Sequence, residues 1–451
     1  EPTSGGSNVT ANSVTVNSNT NITAVVNDRS TISESNDPYN VKVTNVSGLS
    51  AALGEGLQVN SAPTFTTAAG SLGSFFDGTD VGTIATGASD TEGDTITFAL
   101  TSGALPNGLS LNTSNGNITG TLNTSDGAAN TYNFSISISD TASNQQTRAY
   151  SITVSAAPSG GTVTNATIGG QGFRIHTFTS DGQFTTSGTL SQADVLIVGG
   201  GGSAGARHAG GAGAGGVLHI TGATITAGTY AADLGNGGAT SPNETAGQTG
   251  QNTTFLGETA NGGGRTNAYT GSCVTQNGGS GGGESGRHCN LVGSATQGNP
   301  SQYSGTGYGN NGGNTNTSNK HFGGGGGGAG GAGQSSTSNS MQTSNGGAGI
   351  QINIDGNNYY WAGGGGGNGY NNGQGGQAGF GGSGGGGAGG RSGGSNGSGG
   401  TGGLNNGQGT SGDVGGAAGA NTGSGGGGGS QTGPGRGGAG GRGIVILKLP
   451  N

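Results

Sequence analysis

Charge is scarce in this sequence. Only 7% of its 451 residues are charged, and 12 Lys plus Arg face 20 Asp plus Glu for a net charge of −8. No basic stripe can neutralise a run of phosphates, which excludes nucleic acid as a partner class. Long apolar runs are missing as well: nothing approaches about 20 consecutive hydrophobic residues, so neither a membrane span nor a leader peptide is expected and membrane insertion is excluded. Hydrophobic residues make up 27% of the chain, with one Trp and one Met, too few for a conventional core throughout. Catalytic constellations are absent too. There is no phosphate-binding G-K-[ST] loop, no H-E-x-x-H and no nucleophile elbow, and His176, His208, His219, His288 and His321 are scattered. The expectation is a chain without enzymatic activity or a required cofactor.

Cysteine is nearly absent. Cys273 and Cys289 stand with fifteen residues between them. Two readings remain open: a loop-stapling disulfide, which would imply an oxidising, extracellular setting, or a pair of free thiols. A zinc site is disfavoured because His288 adds only one further ligand.

What the chain does have is glycine, 115 residues of it, unevenly spread. Residues 1–60 are rich in Asn, Ser, Thr and Val and read as a connector or stalk. From 61 to 158 the composition is ordinary and strands are legible at 95–100, 131–139 and 148–155. Tyr132, Phe134, Ile136 and Ile138 fall on one face of the second strand, and Tyr150, Ile152 and Val154 on one face of the third. Alternation without any helical period predicts an immunoglobulin-like β-sandwich lacking its disulfide.

From about residue 161 to 451 the glycines gather into blocks at 199–202, 323–328, 363–367, 384–387 and 425–429. Strand-like segments frame them: 172–178 and 183–186, read as a hairpin about Asp181-Gly182, then 193–198, and finally 444–449. The two ends are expected to share one sheet. Glycine loses the most backbone entropy on ordering and buries no side chain, so a flexible linker is the default. A linker needs no flanking apolar strands, however. The alternative is extended helices of the polyproline II type whose N–H and C=O groups bond to neighbouring chains, with glycine allowing close approach.

The segment Ala88-Ser89-Asp90-Thr91-Glu92-Gly93-Asp94-Thr95-Ile96-Thr97-Phe98, followed by Leu105-Pro106-Asn107-Gly108-Leu109, resembles the cadherin-like Ig repeats of surface proteins. Asp90, Glu92, Asp94 and Asp140 are oxygen ligands of the kind Ca²⁺ takes; solvated turn carboxylates are the competing reading. Val41 to Leu53 resembles a short element of bacteriophage tail-fibre proteins. The ordered set His176-Thr177-Phe178-Thr179, Val195-Leu196-Ile197-Val198 with four glycines, Thr229 to Gly238, Trp361-Ala362 with five glycines and Gly443 to Leu447 resembles the glycine-rich terminal domain of phage tail-fibre adhesins and some bacterial surface proteins. That resemblance implies an all-β plus polyglycine II fold in which a sandwich of polyglycine helices presents receptor-binding loops. It further implies an extracellular virion protein that attaches to a bacterial cell-surface receptor, a polysaccharide or an outer-membrane protein. Its other partners would be fibre or virion proteins, with a homotrimer among the assemblies. A bacterial surface adhesin or filament subunit is the alternative, and ice binding by a flat glycine face a third.

Aromatic rings flanked by Asn, Ser and Gly equip binding loops. Tyr269, His288, Tyr303, Tyr308, Lys320, His321 and Phe322 are the expected receptor contacts. Ile352, Ile354, Tyr360 or Trp361 belong instead to a hairpin around Gly356-Asn357 and are expected in the core rather than at a contact.

Overall fold

The computed structural model describes residues 8–450 apart from 27–31, 33–37, 58, 125–129, 243, 270–272, 275, 287–288, 316–320, 337–343, 371–376, 393–396, 411 and 431–435. The described residues form strands, turns and extended segments, without helix. They divide into two units, Glu1–Ala156 and Ala157–Asn451.

The first unit opens with two hairpins, Ser13–Val16 with Ile22–Val25 and Tyr39–Thr44 with Ser50–Leu57. A two-layer β arrangement follows. One sheet has the order Gly70–Phe76, Gln145–Ser155, Asn130–Ser139, Thr97–Gly103; the other has Leu109–Leu111, Asn117–Thr121, Asp80–Ala85. Period-2 alternation puts Phe134, Ile136 and Ile138 inside with Tyr150, Ile152 and Val154, against Ile118, Phe98 and Phe65. Each fully buried aliphatic or aromatic side chain stabilises this core by about 1.5–3 kcal/mol.

The second unit is built on a six-stranded antiparallel sheet in the order Thr162–Ile168, Gln171–Phe178, Ile444–Pro450, Leu190–Val198, Val217–Ile225, Gly305–Tyr308. Its C-terminal strand lies between two early ones: Leu447 faces His176 on one side and Val195 on the other. Apolar side chains on every residue of Ile444–Leu447 suit a strand covered on both faces, and all four are buried.

The hairpin expected about Asp181-Gly182 does not form. Gly182–Thr186 pairs with Gly228–Ala232 instead, because both edges of Gln171–Phe178 are already occupied by its sheet neighbours. Phe184 is thereby carried into the interior, edge-on to His176 and Phe255.

Between the strands the glycine runs form a hydrogen-bonded lattice with a three-residue period. Gly199 and Gly202 donate to Gly216 and Gly213; Gly200, Ser203 and Ala206 to Gln251, Gln248 and Thr245; Gly201 and Ala204 to Gly441 and Gly438. Each third amide thus addresses the same neighbour, and a donor advancing by three with an acceptor retreating by three marks that neighbour as antiparallel. Gly211 and Ala214 bond Gly324 and Gly327 in the parallel sense. None of residues 199–206 donates its N–H to another of them.

Glycine is required here for closeness and not for backbone twist. No glycine in 199–202, 323–328, 363–367 or 425–429 has a left-handed φ, yet a Cβ on Gly201, Gly365 or Gly427 would fall inside the carbonyl oxygen of Ser424, Gly426 or Ala388. The alanines of the lattice, Ala204, Ala212, Ala214 and Ala388 among them, are completely buried and mark directions in which a methyl group fits.

Candidate functional site

The lattice has two ends. Val198 and Val217 lead straight from the sheet into Gly199 and Gly216, which bond to each other. The turn joining these two antiparallel runs, Arg207-His208, therefore lies at the far end. Other runs arrive there by the same register: Gly213 and Gly216 bond Gly264 and Asn261, Gly365 and Asn368 bond Ala212 and Ala209, and Gly211 bonds Gly324. Residues 269, 321 and 370, at the ends of these runs, are brought to the 207–208 turn.

Side chains meet there in a ring cluster. His208, fully buried, has its ring centroid 5.1 Å from Tyr269, 5.0 Å from His321 and 5.3 Å from Tyr370. His321 stacks on Tyr370 at 4.5 Å and 21°. The Arg207 guanidinium lies 4.6 Å over the Tyr269 ring and pairs with Glu244. Nδ1 of His208 is 3.0 Å from the His321 carbonyl, which also accepts a bond from buried Asn368 at 3.1 Å. Arg207, His208 and Glu244 all hold left-handed φ, at 59°, 53° and 52°, which costs a non-glycine residue on the order of 1–3 kcal/mol each.

The disulfide between Cys273 and Cys289 is formed, with Cα atoms 5.6 Å apart and Cys289 buried. It borders the same end, since Gly286 donates its N–H to the His208 carbonyl. Closing a loop of this length restricts the unfolded chain by about 3 kcal/mol.

The expected contact residues separate. Tyr269 and His321 join the ring cluster. Tyr303 and Tyr308 lie at the opposite end, beside the sheet: Tyr308 pairs with Val217 and packs on the core, and Tyr303 follows a turn whose Ser301 and Gln302 amides donate to the buried carboxylate of Glu258. Burial there holds the Tyr303 hydroxyl pKa above its ordinary value, aided by Tyr230 and Glu258. Phe322 is only 8% exposed. His288 and Lys320 lie outside the described residues. His208 and Tyr370 were not among the expected contacts. The available signal for His208 was its place beside Arg207, an interruption of an otherwise Gly/Ala/Ser run.

The four carboxylates singled out in the first unit, Asp90, Glu92, Asp94 and Asp140, accept hydrogen bonds from nearby amides. Asp90 Oδ1 accepts the amides of Glu92 and Asp94, Asp140 Oδ1 those of Ala142 and Asn144, Glu92 the amide of Ser61, and Asp94 the side-chain amide of Asn60. Among the described residues no group of three or more His, Cys, Asp or Glu side chains is placed to hold a metal ion; Asp90 and Asp140 each cap a local turn.

Two histidines outside the ring cluster have a pH consequence. His176 is fully buried, and its Nδ1 donates to the Gly160 carbonyl at 2.8 Å, while Nε2 has no partner among the described residues. A second ring proton would need an acceptor that the site lacks, and burial holds the pKa below the ordinary histidine value, against the opposing Gly160 bond. His219 is lowered by burial too, with Asp194 opposing. The unfolded chain therefore takes up protons before the folded one. Stability is complete above the unfolded pKa of about 6.5 and is lost as pH falls below it. Melting temperature should stay level from about pH 8 to 6.5 and then decline, and His176→Gln should flatten the decline; equal slopes in both proteins would refute this origin.

Residues 177–419, more than half of the chain, match the family described as Glycine-rich domain. The chain belongs to that family. Ahead of the glycine-rich domain, residues 56–155 match the family described as Putative Ig domain, the region of the two-layer β arrangement. No curated protein matches the chain.

Among solved structures, human protocadherin-24 EC1-2 is similar at 21% identity and a TM-score of 0.19, covering 21% of this chain and 44% of its own. An endo-fucoidan hydrolase of glycoside hydrolase family 107 is 28% identical at a TM-score of 0.18, covering 22% of this chain and 14% of its own. Human CDH23 EC21-23 is 14% identical at a TM-score of 0.21, with 39% and 60% covered. The glycine-rich protein thus spans less than two thirds of each of these chains.

Proposed function

We propose that this chain is an extracellular, non-catalytic adhesin: the receptor-binding part of a phage tail fibre, attaching to a bacterial cell surface through side chains held at the far end of its glycine lattice. In this reading the glycine runs are polyglycine II helices. Support comes from the three-residue hydrogen-bond period without bonds inside a run, the geometry of a threefold helix that satisfies its backbone only through neighbours. Residues 199–206 would then extend about 25 Å at roughly 3.1 Å per residue, carrying the 207–208 turn well clear of the sheet.

The observation that carries the reading is this division of labour. Glycine runs have no side chains with which to choose a partner, and they hold rigid the turns that do. Groups on a rigid frame lose little further entropy on binding, so a few side chains suffice. An antiserum raised against the purified chain is expected to label the tail fibres of a virion in electron micrographs and to block adsorption to host cells. Labelling of a bacterial envelope instead would establish the alternative, a bacterial surface adhesin or filament subunit. New reducing ends released from host envelope by the purified chain would overturn the non-catalytic assignment.

A further inference from the structure

Glycine adopts left-handed φ at no steric cost, and this chain uses it freely, yet Arg207, His208 and Glu244 hold that conformation with full side chains. Six other described non-glycine residues hold such a φ as well; what sets these three apart is that their side chains meet. All three converge: Arg207 pairs with Glu244 and covers Tyr269, and His208 is the hub of Tyr269, His321 and Tyr370. Strained residues that persist against an easy alternative point to a working site.

The composition of the site selects its ligand. Three half-exposed rings, Tyr269, His321 and Tyr370, offer faces and edges, with hydroxyl and imidazole hydrogen-bonding groups on the same side chains. The Arg207 and Glu244 side chains remain 32% and 49% exposed, supplying donors and acceptors side by side. Among the described residues of the cluster the guanidinium is matched by a carboxylate and is not left for a phosphate. None of the six residues is aliphatic, so a protein partner's apolar anchor would have little to bury against. A neutral pyranose fits both features: its C–H face stacks on a ring, and its adjacent hydroxyls bridge a guanidinium and a carboxylate.

We propose that the ring cluster at the far end of the lattice binds a neutral sugar unit of a surface polysaccharide. The proposal rests on the adhesin reading and specifies the receptor class for it. The hydrogen bonds of His208 and Asn368 to the His321 carbonyl hold the rings in place before the ligand arrives.

The test uses the full chain and immobilised neutral polysaccharides (dextran, mannan and galactan), with binding and melting measured on the same samples. At least one glycan is expected to bind, and Tyr370→Ala to weaken it about tenfold or more. Arg207→Gly separates binding from folding, because it relieves the backbone strain while removing the guanidinium: binding should fall about tenfold while the melting temperature holds or rises. Tyr370→Phe, which keeps the ring, should retain most of the binding. Unaltered glycan binding in both Tyr370→Ala and Arg207→Gly would overturn the site. Attachment to host cells that protease treatment of the cells abolishes, with no glycan bound, would overturn the sugar and point to a protein receptor while leaving the adhesin reading intact. Failure to attach to any cell surface would overturn the adhesin reading itself.

Discussion

Replacing Gly365 with valine is expected to destabilise the glycine-rich unit by about 3 kcal/mol, a fall in melting temperature of roughly 6–12 °C for a unit of this size. Gly365 sits where three runs meet. Its amide donates to the Ala212 carbonyl at 2.9 Å, its carbonyl accepts from Gly326 at 2.9 Å, and its absent Cβ would occupy the position of the Gly426 oxygen. A branched side chain there must push a neighbouring run away, and each run displaced loses its bonds to others. Gly331 supplies the contrast, since a Cβ there would meet nothing closer than the Ala348 nitrogen at 3.5 Å. Gly331→Ala should melt within about 1 °C of the parent, offset by the reduced freedom of the unfolded chain. A Gly365→Val protein with an unchanged melt, or amide exchange across 363–367 as fast as in an unfolded peptide, would return these runs to the status of linkers.

The second large effect is expected at Trp361, the only tryptophan in the chain. Its side chain is wholly buried with Val198, Ile352, Ile354 and Ile444, its ring lies 5.8 Å from Tyr359 at 81°, and its indole N–H donates to the Ile352 carbonyl at 3.2 Å. Ala362, next in sequence, accepts the Ala329 amide within the lattice. One side chain therefore joins the apolar core under the sheet to the start of a glycine run. Trp361→Ala should cost about 3–5 kcal/mol from lost burial and the cavity left behind. Calorimetry against the parent measures this, and a loss below about 1 kcal/mol would mean that the core and the lattice fold independently of this contact.

Legibility varied with the amount of side-chain information. Tyr132 to Ile138 and Tyr150 to Val154 alternate clearly, and Phe134↔Tyr150 pairing puts both apolar faces inside. Ile352, Ile354 and Trp361 were readable as core for the same reason, with Gly356 at φ 90° turning the chain between them. Asp181-Gly182 misled because a turn dipeptide signals a local hairpin, whereas the partner of Gly182–Thr186 was chosen by the burial of Phe184. Tyr303 and Tyr308 looked equivalent to Tyr269 and His321 because nothing in a loop's composition tells which end of a lattice it caps.

Composition and periodicity alone determined that this protein is all-β, that it carries an Ig-like segment before a glycine-rich one, and that apolar strands frame the glycine. Side-chain patterns encode those features locally. Only the tertiary structure decided which glycine run lies beside which, because runs without side chains carry no pairing code and take their register from the strands at their ends. The same register brings Arg207, His208, Glu244, Tyr269, His321 and Tyr370, up to 163 residues apart in the chain, to one place. Their meeting is a property of the lattice, set by where each run of known length stops.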